Sequence, residues 1–241
     1  MNCLPLEPRL LLAVVHIDDV IRITGSARDE RMAIEISLDE AGSFVQVNQE
    51  RIEFQADVRK VTIDSGAGND RIRLNVGGAD ITVRINGGPG DDDVAFSGTV
   101  AAVRGGSGDD RVQVRARVPG AGSTLYGGNG NDQLRSLGPA DDVFYGGEGN
   151  DTLVGSGGPE ATAGKNTLYG GPGDDVLKGA RGNDTLVGGE GDDVLHGNGG
   201  DDLLMGGAGV DRFFGDSGND VLNVSKNEMF DPGTGDDQVL V

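Results

Sequence analysis

The chain has 241 residues, of which 44 are Gly, and it contains no Trp and only 4% aromatic residues. This composition argues against a large aromatic-rich core and favours a repetitive one. The net charge of −20 argues against nucleic-acid binding, which needs clustered Lys and Arg, and the lack of any run of 18 apolar residues predicts no membrane span.

The N-terminal segment, residues 1–18, is predicted to be a leader or sorting segment. It contains LEPRLLLA at residues 6–13, which resembles the LEPR-XLL segment near the start of some large bacterial secreted or surface proteins. It is a poor signal peptide, because only six apolar residues separate Arg9 from His16 and an acidic pair follows at Asp18 and Asp19.

Residues 19–64 are predicted to form a β-rich cap. Short apolar runs alternate with polar residues, beginning with Ile21 and Ile23 and ending with Val61 and Ile63. The stretch TGSARDERMAIEIS, residues 24–37, looks like a degenerate first repeat with Glu30 in place of an Asp, and solenoids need an atypical unit to cover their open end. No ligand role is predicted for Glu30.

Residues 65–241 repeat one unit, in which an Asp follows a Gly-rich stretch and a large apolar residue comes two positions later. Steps of nine residues separate Asp175, Asp184, Asp193, Asp202, Asp211 and Asp220. The same offset to an apolar residue holds for Asp70, Asp92, Asp110, Asp132, Asp151 and Asp237. Each apolar residue is predicted to lie on a short strand, and each GGxG stretch to form a turn.

The repeated unit, GGEGDDVLH at residues 188–196, resembles the GGxGxDxUx nonapeptide of the RTX (repeats-in-toxin), or haemolysin-type, calcium-binding family. The resemblance implies an all-β fold, a right-handed parallel β-roll or β-helix solenoid with two strands and two turns in each coil of 18 residues. Calcium would lie between successive turns of one edge.

The residue types suit such a site, because glycines allow the positive backbone angles that turn carbonyls inward and Asp adds a hard anionic oxygen. Calcium prefers six to eight oxygens, so two stacked turns must share each ion. The resemblance thus implies metal ligation by the twelve Asp residues above and by the backbone of Gly171, Gly173, Gly189, Gly191, Gly207 and Gly209.

Neighbours in a β-roll are 18 residues apart, so one edge should stack Asp175, Asp193 and Asp211, and the other Asp184, Asp202 and Asp220. Upstream, Asp70 to Asp175 are spaced by 22, 18, 22, 19 and 24 residues, which is one coil at each step. Only one edge is well formed there, since among the opposite turns only that of Asp142 keeps an acid pair. Fewer ions are therefore expected in the N-terminal half, and weaker sites where Ala180, Asn198 and Val210 interrupt the motif.

The resemblance implies a non-catalytic, secreted or surface-associated protein that folds on binding several Ca²⁺ ions and leaves the cell through type I secretion machinery. An acidic chain would stay unfolded in calcium-poor cytosol and fold outside, where calcium is about 10⁻⁴ to 10⁻³ M.

Two other classes stay open. A surface adhesion or matrix protein could bind a glycan or protein partner through the roll. An anionic polysaccharide could bind the basic stretch, although the simpler interpretation is that these side chains lie on solvated strand faces. The residues of this stretch are Arg71, Arg73, Arg84, Arg104, Arg111, Arg115 and Arg117.

The other class is a polysaccharide-acting β-helix enzyme of the epimerase or lyase type. His16 and His196 do not form an HExxH zinc helix, and residues 157–167 match a phosphate loop imperfectly, so a disordered insertion loop is expected there.

Overall fold

The computed structural model describes residues 3–5, 13–17, 20–26, 31–37, 43–47, 50–54, 58–77, 81–116, 122–155, 164–225 and 228–241. Within these ranges every regular element is a β-strand, as the sequence predicted, and none of the described residues forms a helix that is long and apolar enough to cross a membrane. Residues 6–12 of the LEPRLLLA segment, Glu30 and residues 156–163 lie outside the described ranges.

The strands are β1 (Cys3–Pro5), β2 (Ala13–Ile17), β3 (Val20–Ser26), β4 (Arg31–Ser37), β5 (Ser43–Val47), β6 (Glu50–Phe54), β7 (Lys60–Gly66), β8 (Arg71–Gly77), β9 (Thr82–Pro89), β10 (Asp93–Gly98), β11 (Val100–Ser107), β12 (Arg111–Ala116), β13 (Thr124–Asn129), β14 (Gln133–Ser136), β15 (Val143–Glu148), β16 (Thr152–Val154), β17 (Thr167–Pro172), β18 (Val176–Arg181), β19 (Thr185–Glu190), β20 (Val194–Gly199), β21 (Leu203–Ala208), β22 (Arg212–Ser217), β23 (Val221–Asn223), β24 (Met229–Asp231) and β25 (Gln238–Leu240).

The strands form two sheets between which the chain alternates. One sheet has the order β1-β2-β3-β7-β9-β11-β13-β15-β17-β19-β21-β23-β25 and the other the order β24-β22-β20-β18-β16-β14-β12-β10-β8-β4-β5-β6. From β7 onward all pairing is parallel, so each coil adds one strand to each sheet. This arrangement is the predicted parallel β-solenoid.

The N-terminal end combines both kinds of pairing. Strands β1, β2 and β3 pair antiparallel in one sheet, and β4, β5 and β6 do so in the other. Strands β3 and β4 then pair in parallel with β7 and β8, so each of them already adds a strand to the parallel stack. The division of the chain at residues 18 and 64 stays a prediction.

The core is a column of apolar side chains between the sheets. In the C-terminal coils each strand buries one large residue, two positions after the Asp, and these residues are Leu177, Leu186, Leu195, Leu204, Phe213 and Leu222. N-terminal strands bury more, since β8 encloses Ile72, Leu74 and Val76. The sequence spacing therefore predicted the buried positions, because the offset from the Asp fixes which residue points inward.

The turns are shorter than predicted, because the strands continue through the first glycine pair of each motif. Strand β17 includes Gly170 and Gly171, and Gly171 and Pro172 pair in parallel with Gly189 and Glu190 of β19. Ladder hydrogen bonds thus hold the first half of GGxG as strand, and the turn is confined to the residues that follow.

Among the residues that the structure describes, three non-glycine residues have a positive φ, namely Ala180 (91°), Asn198 (72°) and Asp216 (69°). They are neighbours in adjacent strands β18, β20 and β22 and take the place of the second glycine of the motif. An L-residue in this region is strained by about 1–3 kcal/mol, and Ala has no side-chain hydrogen bond to offset the strain.

We expect Ala180→Gly to raise the free energy of unfolding by about 1 kcal/mol. The substitution removes backbone strain from the folded chain, and this gain exceeds the free energy lost because glycine increases the conformational entropy of the unfolded chain. Urea unfolding followed by circular dichroism measures the change. Gly207→Ala is the matched control on the opposite edge, where φ is +117° and a Cβ would collide with the carbonyl oxygen of Gly189. That variant should be less stable, and an Ala180→Gly protein no more stable than the parent would contradict the strain argument.

Candidate metal centre

The Asp residues of the first edge form a continuous ladder of hydrogen bonds. The backbone N–H of each Asp donates to Oδ1 of the Asp in the next coil, at N–O distances of 2.7–2.9 Å. The ladder runs through Asp70, Asp92, Asp110, Asp132, Asp151, Asp175, Asp193 and Asp211. The structure thus brings together the residues that the uneven spacing had assigned to one edge.

The second edge has the same ladder but a more varied membership. Its members in order are Ser123, Asp142, Asn166, Asp184, Asp202, Asp220 and Asp237, with N–O distances of 2.6–3.3 Å. The predicted stack of Asp184, Asp202 and Asp220 is confirmed. Sequence reasoning missed Asn166, because the residues before it contain no regular GGxGxD spacing, and had placed it in a disordered loop.

In ten Asp residues of the two ladders, the second carboxylate oxygen, Oδ2, is buried and accepts no hydrogen bond. They are Asp92, Asp110, Asp132, Asp151, Asp175, Asp184, Asp193, Asp202, Asp211 and Asp220. A buried carboxylate oxygen without a partner costs several kcal/mol unless a charge or a donor compensates it. Ten such oxygens in regular columns therefore indicate sites suited to a positively charged ligand.

Eight of these ten oxygens, all but those of Asp110 and Asp211, share their space with a backbone carbonyl oxygen of the next coil. A Cβ built on Gly188 would collide with Asp193 Oδ2 and would lie 2.6 Å from the carbonyl oxygen of Gly206. The same arrangement recurs at Gly87, Gly127, Gly146 and Gly170 on this edge. A glycine is required at these places because any side chain would fill the space in which two oxygens of adjacent coils converge.

The later glycines of the motif turn further carbonyls toward the same edge. All six glycines singled out from the sequence have φ between 117° and 148°, as the tight turns required. A Cβ on Gly189 would collide with the carbonyl oxygen of Gly171, and a Cβ on Gly191 with that of Gly173. The turns therefore stack with backbone oxygens directed at the next coil, which is a donor set of hard oxygens suited to calcium.

A second ladder, which sequence reasoning missed, runs through the residue before each Asp. Asp174 Oδ1 accepts from the backbone N–H of Asp192, and Asp192 Oδ1 accepts from that of Val210, both at 2.8 Å. The direction along the stack is opposite to that of the first ladder. Val210 can donate its N–H but has no side-chain acceptor, so this ladder ends there for a visible reason.

No group of three or more His, Cys, Asp or Glu side chains converges in the described part of the chain. The centre cannot therefore be a cluster of side chains alone. Its oxygens come from one carboxylate in each coil and from several backbone carbonyls, and such donors suit a large, hard cation with flexible geometry.

The sequence model of the RTX calcium-binding nonapeptide repeat matches the chain in four copies, at residues 123–138, 136–159, 160–195 and 187–222. Residues 123–222 are RTX calcium-binding repeats. A search of curated proteins finds no match to this chain. The matched RTX region includes both edges of the solenoid from Asp132 to Asp220, while Asp70, Asp92 and Asp110 share its ladder geometry upstream of it.

Burial dominates the electrostatics of the Asp residues in both ladders. Desolvation raises the pKa of Asp92, Asp132 and Asp193 to about 6, of Asp110, Asp151, Asp175 and Asp202 to about 7, and of Asp184 to about 8. The backbone N–H that each Oδ1 accepts lowers the pKa only partly, and neighbouring carboxylates of the stack raise it further. Without a cation, these carboxyl groups keep their protons to a higher pH than exposed carboxyl groups do.

Proposed function

We propose that the protein binds several calcium ions between successive turns on both edges, folds on binding them, and acts outside the cell without catalysing a reaction. The observation that carries the proposal is the set of ten buried Oδ2 atoms without a hydrogen-bond partner, eight of which face a backbone carbonyl of the next coil. A divalent cation there would neutralise the carboxylates and link coil to coil.

Calcium fits this donor set better than magnesium does. Magnesium demands near-ideal octahedral geometry at about 2.0–2.1 Å and retains water, whereas calcium accepts six to eight oxygens in flexible geometry. Backbone carbonyls in a stacked ladder are fixed by the fold and cannot close on a small ion. Extracellular modules bind calcium at about 10⁻⁴ to 10⁻³ M, a range that supports a secreted or surface location.

Far-UV circular dichroism in EDTA, then with millimolar calcium and separately with magnesium, tests the proposal. A calcium-specific gain of β signal is the expected result, because metal binding would supply the free energy that stacks the acidic turns. An identical β spectrum in all three conditions, with no heat of calcium binding, would overturn it.

Asp193→Asn should lower the number of bound ions or weaken calcium binding at least about tenfold at its site. The amide keeps an oxygen for the N–H of Asp175, but it removes the charge and turns the other atom into a donor. Isothermal titration calorimetry with calcium measures both quantities.

Asp93→Asn is the matched control for this titration. Asp93 bears the same charge but pairs on the surface with Arg71 and Arg73, at 3.1 and 2.6 Å. Its loss should leave the ion count unchanged. Equal calcium binding by Asp193→Asn and the parent would contradict the assignment of Asp193 as a ligand.

The basic stretch gives little support to a polysaccharide-binding alternative. Arg71 and Arg73 are engaged with Asp93, and the guanidinium of Arg104 lies over the ring of Tyr126 at 4.5 Å. These contacts support the simpler interpretation of solvated strand faces.

A further inference from the structure

The residue at the first-glycine position of the second edge changes in character along the solenoid. This column contains Leu74, Phe96, Val114, Ser136, Gly155, Gly179, Gly197 and Gly215, each four positions after an Asp of the first edge. The register places Leu74 beside Phe96, Phe96 beside Val114 and Val114 beside Ser136. The space that would hold a cation is thus filled by apolar side chains first, then by Ser, and opens only where Gly begins.

Ser136 fills this space with a hydrogen-bond donor. Its buried hydroxyl donates to Oδ2 of Asp142, the oxygen that accepts nothing in ten other members of the ladders. Asp142 therefore has both carboxylate oxygens satisfied by the protein, since its Oδ1 accepts from the backbone N–H of Ser123.

In the next coil of the second edge, the side-chain amide of Asn166 supplies the hydrogen-bond donor. A Cβ on Gly155 would lie 2.8 Å from Asn166 Nδ2 and would collide with the carbonyl oxygen of Gly179. That geometry repeats the one at Gly188, where Asp193 Oδ2 and the carbonyl of Gly206 face each other. In Asn166 the facing atom is a donor, and Nδ2 donates directly to Gly179 O at 3.2 Å and to Asp184 Oδ1 at 3.0 Å.

The first edge begins with a similar arrangement. Ser65 stands where the later turns have their first glycine, and its fully buried hydroxyl donates to the carbonyl oxygen of Gly87 at 2.7 Å. At the N-terminal end of both edges, side-chain donors therefore form hydrogen bonds to carboxylate or carbonyl oxygens. In later coils the corresponding oxygens face each other with no donor between them.

We propose that Ser65, Ser136 and Asn166 are built-in replacements for the cation, so that their positions hold no ion and the second edge binds calcium only from Asp184 onward. This inference rests on the proposed calcium function and specifies where that function stops. Two oxygens that face each other across adjacent coils need either a cation or a proton donor between them, and these three side chains supply the donor.

Asn166→Asp and Ser136→Gly should each create a calcium site. The first restores the carboxylate facing Gly179 O, and the second opens the space beside Asp142 while keeping its carboxylate. Native mass spectrometry across a calcium titration should count one more ion for each variant than for the parent. Asp193→Asn is the reciprocal variant, which should bind fewer ions. An unchanged count in both new variants of a calcium-binding parent would overturn the inference.

A second measurement does not depend on calcium. In EDTA at pH 8, Asn166→Asp should lower the urea midpoint, because the buried carboxyl group must either keep a proton that the unfolded chain releases or place an ionised oxygen opposite a carbonyl. Asp193→Asn should raise the midpoint, because it installs that donor. Equal midpoints for Asn166→Asp and the parent would overturn the donor role, whether or not the proteins bind calcium. A lower midpoint for Asn166→Asp, with no calcium binding by the parent or the variants, would refute the proposed calcium function alone.

Discussion

In EDTA the protein should lose stability steadily as the pH rises from about 4 to about 8. Burial raises the pKa of eight Asp residues from 3.8 to between about 6 and about 8. Over this range the folded chain holds protons that the unfolded chain has released, so a rise in pH favours unfolding. The stability contributed by the protonated acids is complete below the unfolded pKa and is lost as the pH passes the folded pKa.

The expected loss is large enough to unfold part of the chain. A shift of one pKa unit at a single group corresponds to about 1.4 kcal/mol, so raised pKa values at only a few of the eight groups already matter on the scale of domain stability. Typical domains have a total stability of about 5–15 kcal/mol. Saturating calcium should reverse the trend, because the ion binds the carboxylate and protons compete with it at low pH.

Urea unfolding at pH 5, 6, 7 and 8, in EDTA and in millimolar calcium, measures both slopes. Asp193→Asn should flatten the slope in EDTA, since it removes one of the protonated groups. Asp93→Asn serves as the control, because Arg73 and Arg71 lower the pKa of Asp93 against the effect of its partial burial, and this group titrates below the range. Stability in EDTA that is constant or that increases from pH 5 to pH 8 would contradict the assigned pKa shifts.

The period of the sequence was sufficient to predict the solenoid and its edges. Asp and Leu recur at a fixed offset, and a strand places every second side chain inside, so the buried Leu177 and Leu186 could be assigned without coordinates. Unequal steps between Asp70 and Asp175 were still recognisable as single coils, because insertions enlarge a turn and leave the strand register unchanged.

The features that could not be predicted from the sequence depend on contacts between coils. Ser136 ends β14 and Asn166 directly precedes β17, both in stretches without the glycine pattern, so only the register shows that they meet Asp142 and the carbonyl of Gly179. Asp216 occupies the second-glycine position with a positive φ that its residue type does not favour. In each case neighbouring coils impose a local structure that the local sequence does not prefer.

Along the solenoid, apolar burial gives way to buried carboxylates. Strand β8 buries Ile72, Leu74 and Val76, whereas β18 buries Leu177 and then Gly179. Full burial of an aliphatic side chain is worth about 1.5–3 kcal/mol, so each C-terminal strand lacks stabilisation that an N-terminal strand has. Ions shared between coils would supply it, and the carboxylates proposed to bind them contribute to the acidity of the C-terminal half.

Removal of calcium should therefore unfold the two halves unequally. In EDTA at pH 7, backbone amides of β7 to β12, residues 60–116, should remain protected from hydrogen exchange, while those of β17 to β23, residues 167–223, should exchange at least about tenfold faster than in calcium. Repeat proteins are stabilised by nearest-neighbour contacts, so one end can unfold while the other persists. Hydrogen exchange followed by mass spectrometry of peptides from the two regions measures this difference.

Millimolar calcium should restore protection in residues 167–223 and magnesium should not, which separates specific binding from general screening of the acidic charge. Asn166→Asp gives the sharpest control, because it should extend calcium dependence toward the N-terminus by one coil without altering residues 60–116. Equal loss of protection in both regions would mean that the solenoid unfolds as one cooperative unit. The apolar N-terminal coils would then depend on the ions as strongly as the coils that bind most of them.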